Sequence, residues 1–357
     1  MEIIQDFIAA VGALFNGIPQ ALMALSLGFA MAPTAFGFVV TSGVNWLTGS
    51  VAPISFQAES VSMLGRLGDN RLERVSVMFW GSIIMLAIAL TGTVNLIVDL
   101  LGQQVLAGMM AGVGIMLANI AISMVKGDPR NGALSMVIAG LVYLLTHDLV
   151  WTVSLSVIAV SLIARFYFKE EGAPAQEESK HLQVHKPLLS GKIIRGALSL
   201  AALNLASNIS YGLVTGQLTG QAVNPTNLKA LTLAQAASDF GASLMGGAPL
   251  SAIISTTGSA PHPMRSGVIM MILMALILVS GLLPKIGRFV PSSAIAGFLF
   301  VLGVVIVFPS NAMLALQGPE ALIAAITIAI TACSDPFTGL LSGAALKYLL
   351  PLIGLSL

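Results

Sequence analysis

The sequence predicts an all-α polytopic membrane protein of about fourteen transmembrane segments, arranged as two seven-span repeats of opposite orientation. Three observations carry this expectation. Only 9% of the 357 residues are charged, 56% are hydrophobic, and the mean hydropathy is +0.94. Soluble domains carry about 25% charged residues, so this chain has too little polar side chain to coat a water-facing surface. Apolar stretches recur from end to end, and some reach the ~20 residues that a helix needs to cross the hydrocarbon core, whereas a transmembrane barrel shows weaker alternating segments. Finally, short motifs repeat in the same order in the two halves.

Several function classes are excluded early. A net charge of +1 leaves no basic stripe for a nucleic-acid partner. The single cysteine, Cys333, excludes a disulfide framework and a multi-cysteine metal site. No P-loop, nucleophile elbow or catalytic carboxylate pair is present, so neither an enzyme nor a cofactor is expected. The acidic N-terminal stretch lacks the basic region of a cleaved signal, and the first span is expected to be retained.

Apolar runs between polar punctuation place spans near residues 4–30, 32–49, 51–64, 75–94, 103–124, 131–147 and 149–168. A hydrophilic linker follows at 169–192, and further spans are expected near 193–217, 228–246, 248–260, 266–284, 292–309, 319–334 and 336–355. The repeats are therefore 1–168 and 193–357. Ala52-Pro53-Ile54-Ser55 in the third span matches Ala248-Pro249-Leu250-Ser251 in the tenth. Val105–Ile115 in the fifth matches Ala294–Val304 in the twelfth, aligning Gly108 with Gly297 and Gly114 with Gly303. An odd number of spans per repeat inverts the second copy, the construction plan of secondary transporters.

The third and tenth spans are too short to cross as helices, and each opens on glycine, a small residue and proline, which disfavour a helix. Each is read as an extended segment followed by a half-helix that starts near the midplane, where irregular backbone is tolerated only inside protein or along a cavity. The two helix starts would offer free N–H groups to an anion or a carbonyl-rich ring. Asn204, Asn208 and Tyr211 in the eighth span fall at i, i+4 and i+7, on one helical stripe. That stripe should face the interior, where it serves either substrate contact or interhelical bonding. Ser55, Phe56 and Gln57 in the third span, and Gln20 in the first, are further substrate-binding candidates. Glu59 lies in the first turn of the third-span half-helix, and an intramembrane carboxyl there is a candidate proton-coupling group, the bland reading being an ion pair with an arginine. Asp239 and Asp335 read as capping or interfacial charges, Arg74 and Arg265 as snorkelling to the interface. His262 has no second ligand at metal spacing. The Gly108–Gly112 spacing reads as helix packing, and glycine-rich faces allow a homodimer.

Asp239–Gly267, followed by Val290–Gly303, resembles the nucleobase-cation symporter family, the xanthine/uracil permease-like group that includes AzgA-type purine permeases. The resemblance implies a fourteen-helix fold of core and gate domains, with Ser255 and Thr256 at the tenth-span site and the Asn204–Asn208 stripe at the eighth. It also implies a purine-like substrate and proton or sodium coupling. The acidic residues common at those two sites are missing here, which leaves Glu59 as the substitute. The same fold resembles sulfate and other anion permeases and benzoate permeases, so an organic-anion carrier is the alternative. Basic residues gather in the loops after spans 3, 5, 7 and 11, which puts the linker in the cytoplasm and both termini outside, opposite to the usual arrangement of that family.

Overall fold

A computed structural model describes residues 2–169, 184, 186–222, 225–287 and 289–351. Most of the linker, 170–183 and 185, lies outside the described residues.

The first half begins with helices α1 (Glu2–Ser26) and α2 (Met31–Thr48), then an extended stretch with strand β1 (Ile54–Ser55) and the short helix α3 (Ala58–Leu67). It continues with α4 (Arg71–Thr91), the short α5 (Val94–Leu101), α6 (Gln103–Gly127), α7 (Pro129–Thr146) and α8 (Leu149–Phe166). The second half has α9 (Gly191–Gln217), α10 (Leu228–Leu244), strand β2 (Ser251–Ala252), a 3-10 turn at Thr256–Ser259, α11 (Pro263–Val279) and the short α12 (Leu282–Gly287). A composite segment then combines a 3-10 turn, α13 (Ala296–Val301), a π-helical stretch (Leu302–Val307) and α14 (Phe308–Ala315), before α15 (Ala321–Cys333) and α16 (Pro336–Leu349). Element types thus recur in nearly the same order in both halves. Among the described residues, five segments are long and apolar enough to cross a membrane by length and composition.

Local chemistry sets the boundaries. Asn70, Asp128, Ser190, Asn227 and Asp335 each accept a backbone N–H at the start of α4, α7, α9, α10 and α16, satisfying one of the orphan donors every helix start leaves. Pro129 and Pro336 occupy the first turn, where a missing N–H costs nothing. The π stretch ends at Val307, two residues before Pro309, whose absent N–H leaves a gap in the regular ladder. α5 and α12 were hidden from span counting because they are too short to cross.

Helices α1, α2 and α4 pack with α9, α10 and α11, while α6, α7 and α8 pack with the composite segment and α15. The second group depends on glycine. A Cβ on Gly114 would lie 2.7 Å from Phe308 N, and one on Gly108 2.8 Å from the Ala324 carbonyl. The repeat-aligned Gly114 and Gly303 meet each other: a Cβ on Gly303 would stand 2.5 Å from Gly114 O. Gly108 and Gly112 both face α15, so these glycines are consumed within the chain rather than left for a dimer.

Lys192 pairs with Asp69 and Glu73, Arg74 donates to the Leu27 carbonyl, and Ser293 donates to Asp128. Arg74 therefore closes a helix end instead of reaching into the interface. The Lys192 ammonium holds the exposed Asp69 carboxyl below the usual carboxylate range.

Candidate substrate site at the crossing of two broken segments

Both Ala-Pro stretches are extended, as expected. β1 and β2 pair antiparallel, with Ile54 opposite Ala252 and Ser55 opposite Ser251. This two-stranded bridge sits in the buried core, where backbone groups without helical partners must find others. Beyond β1 the chain enters α3. Beyond β2 it forms only the four-residue 3-10 turn, not the second half-helix that the sequence suggested. The cause is local: Ser255 Oγ accepts the Thr257 N–H, and Gly258 followed by Pro261 and Pro263 stops propagation.

The α9 stripe faces this bridge. The Ser60 hydroxyl lies 3.0 Å from both Asn204 Oδ1 and Gln57 Oε1. Asn208 Nδ2 donates to Gln235 Oε1 at 3.0 Å, and its Oδ1 accepts from Ala252 N at 3.4 Å. Tyr211 donates its hydroxyl to Glu59 Oε1 at 2.8 Å. One turn further, Thr215 donates to the Ile253 carbonyl and accepts from Ser255 N. All four side chains are buried. Glu59 is 4% exposed and pairs with no arginine among the described residues; its described side-chain partner is the Tyr211 phenol.

Five buried polar atoms on these segments and on the neighbouring α1 lack a partner among the described residues: Ser55 Oγ, Gln57 Nε2 and Ser251 Oγ on the broken segments, and Asn16 Oδ1 and Gln20 Oε1 on α1. Gly17 lets α1 come this close, since a Cβ there would lie 2.9 Å from Ser55 Oγ. The set mixes donors and acceptors. Phe56 does not join it: its ring packs on Phe38 at 5.5 Å. Ser255 is spent on the 3-10 turn, whereas Thr256 is exposed and lines a cavity of about 500 Å³ with Gln5, Ile8, Ala9, Ser259 and Pro261.

Asn16, Thr215 and Gln235 carry no signal that sequence analysis picks out, and Asp239 departs from its expected role. Asp239 is no cap: it is 1% exposed inside α10 and accepts from Gln235 and from Leu250 N. Arg265 does not snorkel, because Asp6, fully buried in α1, takes both its guanidinium and the His262 N–H. The i, i+4 spacing of Gln235 and Asp239 was the available signal. No cluster of metal-ligating side chains occurs among the described residues.

No protein-family model matches the sequence, and no curated protein matches it significantly. Solved structures do. The transmembrane domain of a cyanobacterium bicarbonate transporter, BicA, is 15% identical with a TM-score of 0.68, the match covering 96% of this chain and 97% of that one. The overall structure of SLC26A9 is 13% identical with a TM-score of 0.72, covering 99% of this chain and 66% of that one. Murine Slc26a9, an anion transporter in the inward-facing state, is 12% identical with a TM-score of 0.70, covering 99% and 69%. The chain therefore spans about two thirds of the SLC26A9 chains it matches. These neighbours are transporters rather than enzymes, and they do not support membership of the nucleobase family, a purine substrate or symport. The chain is a multi-pass integral membrane protein with the fold of anion-transporter transmembrane domains.

Proposed function

We propose that the protein is a secondary transporter for a small oxyanion carrying its own hydroxyl, of the hydrogen carbonate class, working by alternating access. The observation behind this reading is the set of five unpartnered polar atoms on the broken segments and α1. An unpaired buried polar group costs about 1–3 kcal/mol, so a group of them at one place is expected to serve a ligand. Gln57 Nε2 and the serine hydroxyls suit oxyanion oxygens. Asn16 Oδ1 and Gln20 Oε1 accept only, and suit a solute O–H. A halide or a fully deprotonated oxyanion would leave those two unmatched. The fold likeness to a bicarbonate transporter's transmembrane domain supports the same class.

In this reading the two halves, 1–168 and 193–357, are inverted repeats; α1–α4 with α9–α11 form the core, and the remaining spans form the gate. The first-turn N–H groups of α3 add a favourable dipole end. Glu59 on that turn is the coupling group. Ionised, its charge opposes an anion at the same helix start; protonated, it admits one, so solute and proton move together. A purine is less well served, because Asn208 already uses both ends of its amide within the protein.

The test is uptake into proteoliposomes of labelled hydrogen carbonate, formate, benzoate, sulfate, hypoxanthine and adenine under an imposed pH gradient. Saturable uptake of hydrogen carbonate in preference to formate, benzoate and sulfate, accelerated by an inward proton gradient, is expected. Purine uptake without anion uptake would overturn the proposal.

A further inference from the structure

We infer that Asp239 is a positioning residue whose carboxylate sets the direction of an amide relay holding β2 in register. Leu250 and Ala252 are alternate residues of the tenth-span strand, so their N–H groups point to the same edge. The other edge faces the first broken segment, where Ile253 N donates to the Pro53 carbonyl and β1 is paired. The free edge is covered by side chains in place of a third strand. Asp239 Oδ1 accepts Leu250 N at 2.9 Å, Asp239 Oδ2 accepts Gln235 Nε2 at 3.0 Å, Gln235 Oε1 accepts Asn208 Nδ2 at 3.0 Å, and Asn208 Oδ1 accepts Ala252 N at 3.4 Å. All three side chains are buried to within 1%.

The relay is subject to a parity rule. Its four contacts need four donors and four acceptors, and the two strand N–H groups are both donors. The three side chains must therefore supply two donors and four acceptors. An amide gives one of each in this arrangement and a carboxylate gives two acceptors, so two amides and one carboxylate satisfy the relay once each amide is turned with its N–H toward the carboxylate side. Three amides cannot: one contact is left donor against donor. The rule fixes how many carboxylates the relay contains but not which of the three positions holds it. β2 carries Ser251, whose hydroxyl belongs to the proposed solute site, so the bearing of the relay on transport rests on the carrier reading above, whereas the relay itself does not.

The experiment measures hydrogen–deuterium exchange of residues 248–253 and the melting temperature of the full chain in detergent, for wild type, Asp239→Asn, Asp239→Asn with Gln235→Glu, and Asp239→Asn with Asn208→Asp. Asp239→Asn should speed exchange in this segment by about tenfold or more, the consequence of a buried donor facing a donor. Both double variants keep one carboxylate and should restore protection to near wild type. Wild-type protection in Asp239→Asn would overturn the inference, and so would failure of both double variants to recover. If Asp239→Asn does not fold, recovery of folded, protected protein in the double variants supports the relay and its failure refutes it. None of these readouts needs a transported solute, so they remain decisive if the hydrogen carbonate proposal fails.

Discussion

Tyr211 donates its hydroxyl to Glu59 across 2.8 Å, joining the middle of α9 to the first turn of α3. The contact binds the long eighth-span helix to the helix that follows β1, next to the unpartnered polar atoms of the bridge. A carboxyl in this place has one phenolic donor and no cationic partner among the described residues, which makes it a structural link between the two helices.

Replacing Tyr211 with Phe leaves the Glu59 carboxyl without that donor, and the expected loss is about 1–3 kcal/mol, read as a lower melting temperature. Glu59→Gln keeps an acceptor for Tyr211 and should melt close to wild type. Its oxyanion uptake should no longer respond to a proton gradient. Uptake that still follows the gradient in Glu59→Gln would remove Glu59 from the coupling mechanism.

Gly114→Ala places a methyl group 2.7 Å from Phe308 N at the crossing of α6 with the composite segment, and overpacking of this kind costs about 1–3 kcal/mol. Gly140→Ala in α7 is the control. Nothing lies within 4 Å of a Cβ there, and alanine favours helix by about 1 kcal/mol, so its melting temperature should hold or rise. Equal melting for the two variants would contradict the packing described.

Much of this was legible in the sequence. Charge scarcity and apolar run length point to the membrane class, and the Ala-Pro motifs, recurring at equivalent places in the two halves, mark both broken segments, whereas Pro19 sits inside the continuous α1. The stripe at Asn204, Asn208 and Tyr211 followed from helical periodicity alone. What periodicity does not encode is partnership across the fold. Asp6 and Arg265 are 259 residues apart, and Asp239 reads as a loop-side acid until Gln235 and Leu250 are brought against it. The resemblance to nucleobase permeases rested on the tenth-span motif, which reports the fold of the broken segment and not the solute. α5 and α12 leave no mark on a span count because each is far shorter than the ~20 residues that cross the hydrocarbon core.

Orientation is open to a direct check because Cys333 is the single cysteine and is exposed at the end of α15, two residues before Asp335, which pairs with Arg195 at the start of α9. Basic residues concentrate in cytoplasmic loops. A membrane-impermeant maleimide should therefore label Cys333 only after permeabilisation, and should label Gln221→Cys, in a Cys333→Ser background, in intact cells. The reverse pattern would place Cys333 outside.

Asp128 caps α7 and accepts from Ser293 at 2.6 Å and from Asn131. Partial burial pushes its carboxyl up, but the Ser293 and Asn131 hydrogen bonds outweigh that and hold it below the ordinary carboxylate value. The folded state thus prefers the ionised form. Its contribution is complete above the unfolded value of about 3.9 and disappears as pH falls through the lower folded value. Asp128→Ala should lower stability by about 0.5–2 kcal/mol at neutral pH and by less in strong acid. A deficit that grows on acidification would contradict the assignment.

The most direct measurement is hydrogen carbonate uptake by Gln57→Leu in proteoliposomes, taken with its melting temperature. Gln57 Nε2 has no protein partner, and Ser60 keeps Asn204 as an alternative acceptor, so removing the amide should leave stability unchanged or improved. Saturable uptake should be lost while the protein melts at or above the wild-type temperature. Uptake that persists at the wild-type rate in a folded Gln57→Leu protein would contradict a solute site at the crossing of the two broken segments.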